Sequence, residues 1–148
     1  MSLKKKIIYG LLGLIVIIQF IRIDKTNPEI NSDLDFIAIS NPPEEVRSIL
    51  KTSCYDCHSH ETVYPWYSNV APVSWWIKDH INDGRGHLNF SIWGEYEEKR
   101  IDHKLEEIVD EVKATEMPLK SYLIAHSESR LSDQQRENLV VWVESLRK

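Results

Sequence analysis

Val46-Arg47-Ser48-Ile49-Leu50-Lys51-Thr52-Ser53-Cys54-Tyr55-Asp56-Cys57-His58 is the stretch on which the reading of this chain turns. Its apolar positions, Val46, Ile49, Leu50, Cys54 and Cys57, recur at the spacing of one helical face, which predicts a helix carrying both cysteines on its buried side. Asn41 is the expected cap, with Pro42 at the first helical position and Glu44 and Glu45 near the positive end of the dipole. The chain of 148 residues holds only these two cysteines. They are too close together to be a disulfide framework and ask for another role.

Cys54-Tyr55-Asp56-Cys57-His58 has the order of a c-type haem attachment site. Two thiols three residues apart on a helical turn can each add across one vinyl group of the macrocycle, and the next residue, His58, then turns its imidazole to the iron. The expected cofactor is therefore one haem c, held by Cys54 and Cys57 with His58 as proximal ligand. A thioredoxin-like dithiol would need a βαβ setting, of which no sign is visible. Structural zinc would need a fourth ligand and usually a second paired cluster. A plain disulfide is the blander alternative.

Outward from this motif the pattern stays helical. A second helix is expected from Pro72, with Val73, Trp76, Ile77, His80 and Ile81 on one stripe, broken by Asp83-Gly84-Arg85-Gly86. A third is expected from about Glu98 to Lys113, with Ile101, Leu105, Ile108, Val109 and Val112 inward. The last opens on Ser132 with Gln135 as its capping-box partner and carries Leu139, Trp142, Val143 and Leu146. With no convincing strand and no repeat, the expected fold is all-α: a small cytochrome c-like helical domain over 41–148, behind a spacer at 24–40.

The amino terminus sets the compartment. Lys4-Lys5-Lys6 precedes an apolar run from Ile7 to Ile23, interrupted only by Gln19 and Arg22. Seventeen positions make roughly 26 Å of helix against a hydrocarbon core of about 30 Å. A transmembrane anchor over 1–23 is feasible if Arg22 snorkels to the far interface. The lysines place the amino terminus in the cytoplasm. A cleaved signal is the alternative, but small residues of the A-x-A type are missing before Asp24. The expected location is the inner membrane with the domain in the periplasm, or the periplasm alone if the leader is cut. Four of the 18 basic residues precede Asp24 and all 23 acidic ones lie from Asp24 onward, so the body holds 14 basic against 23 acidic residues, a charge of -9. Nucleic acid is excluded as a partner on that ground, and a redox protein with a basic docking face fits.

For the sixth position of the iron the sequence puts forward Met117, the only thioether of the body apart from the initiator, in an irregular Glu116-Met117-Pro118-Leu119 loop. His126 and His80 are the alternatives. His60 lies too near His58 to reach the other face, and His103 sits among charges. Aromatics crowd the motif: Tyr55, Tyr64, Trp66, Tyr67, Trp75, Trp76 and Trp93. Most are expected to pack, since a haem edge needs a water-poor wall. Tyr67 and Arg85 are the candidates for a propionate.

From Ser53 to Trp142 the sequence resembles the bacterial haem-binding domain family of single CxxCH proteins. The resemblance runs through Cys54-Tyr55-Asp56-Cys57-His58-Ser59, Tyr64-Pro65-Trp66-Tyr67, Ala71-Pro72-Val73-Ser74-Trp75-Trp76 and His87-Leu88-Asn89-Phe90-Ser91. It ends on Met117-Pro118, Tyr122, His126 and Leu131-Ser132-Asp133. It implies a haem c domain, found alone or beside cytochrome c modules, and names no partner. Three functions are open at this point. An electron carrier needs a closed, six-coordinate iron, and a sensor of small molecules needs an open or displaceable sixth ligand. A peroxidase-like enzyme needs distal acid-base groups at a spacing not seen here, so no enzymatic role is expected. A zinc-stabilised interaction module is the remaining alternative.

Overall fold

In the computed structural model, which describes residues 2–147, the largest buried side chains stack face to face: Phe36 on Phe90 at 5.1 Å and Tyr55 on Phe90 at 5.1 Å. Trp93 lies 4.4 Å from Phe36. Helices gather around this stack, and no strand occurs among the described residues. They are α1 (Leu3–Ile18), α2 (Phe36–Ser40), α3 (Glu44–Ser53), α4 (Tyr55–His58), α5 (Val73–His87), α6 (Glu98–Lys113) and α7 (Asp133–Ser145), linked by 3-10 turns. The all-α expectation holds.

The amphipathic faces behave as their spacing demands. Leu105, Ile108, Val109 and Val112 of α6 are buried, as are Leu139, Val140 and Val143 of α7. The α7 capping box forms, with the Ser132 hydroxyl accepting from the Gln135 amide while the Gln135 side chain accepts from the Ser132 amide.

Four expectations need correction. The stretch 24–40 is no free tether. Asp35 accepts from the Ile37 amide to cap α2, and α2 delivers Phe36, fully buried, to the aromatic stack. Asn41 does not open α3. It ends α2 in the left-handed conformation, φ 45°, which Asn tolerates better than most residues, and α3 starts after Pro43. The helix bearing the cysteines is not continuous. It breaks at Cys54 (φ -126°, ψ -40°), which turns Tyr55 into the core, where its hydroxyl donates to both oxygens of Asp35 at 3.0 and 3.2 Å. Finally, Asp83-Gly84-Arg85-Gly86 does not break α5, which runs on to His87.

The apolar leader also differs from its expected form. Its helix spans 16 residues and stops at Ile18, because the Gln19 side chain turns to the body, accepting from the Ala71 amide at 2.9 Å and donating to the Ala71 carbonyl at 3.0 Å. Arg22 does not snorkel away: its guanidinium donates to the Asn69 carbonyl. Among the described residues no helix is long and apolar enough to cross a membrane.

Candidate functional site

Gly84 is where α5 meets the cysteine turn. A Cβ there would stand 2.9 Å from the Cys57 carbonyl oxygen, so only glycine lets the two backbones come this close. The approach brings the Gly84 and Leu88 carbonyls to Nδ1 of His58, at 3.0 and 3.1 Å. Both partners are acceptors, so Nδ1 carries the hydrogen. The lone pair of His58 is thereby left on Nε2, the arrangement that orients an imidazole for a metal. Burial, stronger than these hydrogen bonds, holds the imidazolium below its ordinary pKa, which keeps the ring neutral and able to ligate.

The two thiols sit beside it, half-buried. Burial pushes the Cys54 thiol up to about 12 and the Cys57 thiol up to about 11, so both are S–H groups at neutral pH. A reactive dithiol has its pKa lowered instead. Among the described residues no set of three or more His, Cys, Asp or Glu side chains is placed to hold a metal ion, which the zinc-module alternative requires.

Against Cys57 opens a cleft of about 360 Å³, within the usual range of cofactor sites. α5 lines it through Val73, Trp76, Ile77, His80 and Ile81, and the loop from Leu119 to His126 lines it too. Asp56 joins the cysteine turn to its surroundings: Oδ2 accepts from the Tyr122 hydroxyl at 2.7 Å and Oδ1 from the Val63 amide at 3.0 Å. His126 stacks on Tyr122 at 4.2 Å. Its Nδ1 donates to Glu128 at 3.2 Å, and in the neutral ring Nε2 then accepts from the Tyr67 hydroxyl at 2.6 Å.

The expected site residues thus divide. Cys57, Tyr67, His80 and His126 line the cleft; Cys54, which packs against the core, His58, Arg85 and Met117 do not, although Leu119, two residues after Met117, does. His80 donates Nδ1 to the Trp76 carbonyl, one turn back on the helix that supports His58. Arg85, expected at a propionate, spends Nε on the Ser59 carbonyl and one terminal nitrogen on Asn27 and Thr62, clamping the turn that follows the motif. His60 bridges the Glu29 carbonyl and the Asn89 side chain. Tyr55 and Trp93 belong to the core, whereas Trp76 faces the cleft.

Residues 13–145 match the model of the haem-binding domain family. The chain belongs to that family. The haem-binding domain match spans the cleft lining and the cysteine turn. No curated protein and no solved structure matches the chain. The residues present fit a haem: an apolar cleft reaches one cysteine of the motif, and the neighbouring imidazole has its Nε2 lone pair uncommitted.

Sequence reasoning missed Gly84 and Asp56. By sequence Gly84 reads as a helix breaker, and only its contact with Cys57 shows its use. Asp56 had a local signal, an acid inside the motif at the start of a helical turn.

Gly84→Ala follows as a test of this packing. Helix propensity favours Ala by about 1 kcal/mol, while overpacking against a backbone carbonyl costs about 1–3 kcal/mol. The steric cost is expected to win, lowering the thermal midpoint by a few degrees and disturbing the His58 hydrogen bonds. A raised midpoint in a thermal melt would show that the Cys57 backbone yields freely.

Proposed function

We propose that this haem-binding protein is a monohaem c-type cytochrome that carries electrons outside the bacterial inner membrane, anchored through α1. The observation that carries the reading is the His58 ring, fixed by two backbone carbonyls with Nε2 free of any hydrogen bond among the described residues, directly after two protonated thiols in the order CxxCH. Cys54 and Cys57 would hold the haem, each adding its S–H across one vinyl group so that sulfur takes one vinyl carbon and the hydrogen the other. Covalent haem of this kind supplies a one-electron couple at an iron whose potential follows its axial ligands and burial.

This chain's residues do the rest. His58 supplies the proximal lone pair, the Gly84 and Leu88 carbonyls raise its basicity, and the apolar walls exclude water. A sixth ligand would come from the 117–126 loop, which lines the cleft from Leu119 to His126, whereas His80 on the same cleft belongs to α5, the helix that already backs His58. Met117 is the loop's thioether and His126 its cleft-facing imidazole. The acidic body suits a basic docking partner.

A sensor-like reading, with a displaceable sixth ligand, is favoured by one observation: His126 commits Nε2 to Tyr67 while Met117 lies off the cleft wall. Reduced-minus-oxidised spectra of the full chain, Met117→Ala and His126→Ala, each with and without carbon monoxide, test the assignment. Replacing the true ligand turns a low-spin spectrum high-spin and opens the iron to carbon monoxide. Two unchanged spectra overturn the loop as the source of the ligand. Immediate carbon monoxide binding by the unaltered protein favours sensing over electron transfer.

A further inference from the structure

Around the foot of α1 the body exposes large apolar side chains that its own core does not use. Phe20 is 82 % exposed, Trp66 78 %, Val63 74 % and Ile124 87 %, with Ile21 and Val70 also open. Hydrogen bonds tie part of this surface to the foot of α1. Gln19 and Ile21 bind Ala71 and Trp75, the latter through its indole nitrogen at 2.9 Å from the Ile21 carbonyl. Arg22 and Lys25 both bind Asn69, whose amide donates to the Trp66 carbonyl. Val63 and Ile124 belong to the mouth of the cleft. The chain therefore leaves α1 and enters the rim without a flexible join.

Length supplies the second half of the argument. The apolar part of α1, from Ile7 to Ile18 beyond the three lysines, spans about 18 Å at 1.5 Å per residue, roughly 12 Å less than a hydrocarbon core of about 30 Å. An apolar surface that sinks about 5–10 Å into the headgroup boundary makes up most of such a gap. Trp66 on this rim, and Trp76 beside it in the cleft lining, are of the type enriched at that depth. Arg22 and Lys25 stand where anionic headgroups would meet them, with Asp24 the acid between.

We propose that the rim formed by Phe20, Ile21, Val63, Trp66, Val70 and Ile124 is a lipid-docking surface, seated in the bilayer interface so that α1 and the rim together make the anchor. The proposal rests on the membrane-anchored reading above. It seats the body on the membrane instead of on a tether, with the cleft mouth at headgroup level. The acidic surface of α6 then remains for a soluble partner.

The test places the photocrosslinking residue benzoylphenylalanine singly at Leu12, Trp66, Ile124 or Lys99 of the full chain, in vesicles of phosphatidylethanolamine and phosphatidylglycerol. Covalent adducts are read by mass. Phospholipid adducts are expected at Leu12, Trp66 and Ile124, at least about ten times the yield at Lys99 on α6. Lipid at Leu12 with none at Trp66 and Ile124, or crosslinks there to a second copy, overturns the docking surface and leaves the anchor standing. No lipid at Leu12 overturns the anchor and the docking surface with it.

Discussion

His58→Ala is expected to abolish the low-spin spectrum of the protein and to cut the yield of pigmented chain by more than the ten- to hundred-fold that loss of an outer-shell partner costs a metal site. The side chain is held by the Gly84 and Leu88 carbonyls, and its removal takes away the Nε2 that they leave as the free lone pair. The fold should survive, because the ring is not part of the aromatic stack of Phe36, Tyr55 and Phe90 and meets Phe90 only edge-on at 6.3 Å. Exogenous imidazole should restore the low-spin spectrum, since the cleft and both thiols remain. A variant that keeps the unaltered spectrum without imidazole would remove His58 as the proximal residue.

Phe36→Ala is expected to lower stability by about 3–5 kcal/mol, the range for deleting a buried phenyl ring. Against a total of about 5–15 kcal/mol this is a large share, and the thermal midpoint should drop by about 10–20 °C. Phe36 touches Phe90, Trp93 and Trp142, and it is fully buried. Its loss leaves a cavity between α2, α7 and the turn at Phe90–Glu95. Ile30→Ala in the same stretch, at a 47 % exposed position, should change stability by no more than about 0.5 kcal/mol. Equal and small effects of the two would return residues 24–40 to the role of a loose spacer.

The pair of variants also marks where the sequence was legible. Periodicity found α6 and α7 and the inward faces of both, because their apolar residues repeat over several turns and Ser132 with Gln135 announces a start. The CxxCH order was local and carried its own chemistry. Phe36 was hidden because α2 has only five residues, too few for a period, in a stretch rich in Asn, Asp and Ser. The break at Cys54 was invisible for a different reason: Tyr55 is drawn inward by Asp35, a partner 20 residues earlier. Gly84 illustrates the same limit, since its role comes from a backbone brought close by the fold, while its own neighbours in sequence signal a turn. The cleft wall from Leu119 to His126 was foreseen as a source of ligands, yet the Tyr67 and Glu128 bonds to His126 depend on contacts that no spacing encodes.

The central claim is that two thiols and the adjoining imidazole hold a single haem. Intact mass spectrometry of the full chain, matured by the haem-attachment machinery of the periplasm, tests it most directly. The expected mass is that of the polypeptide plus one haem; it survives denaturation and is absent from the Cys54→Ser, Cys57→Ser double variant. A bare polypeptide mass in a colourless protein would contradict it.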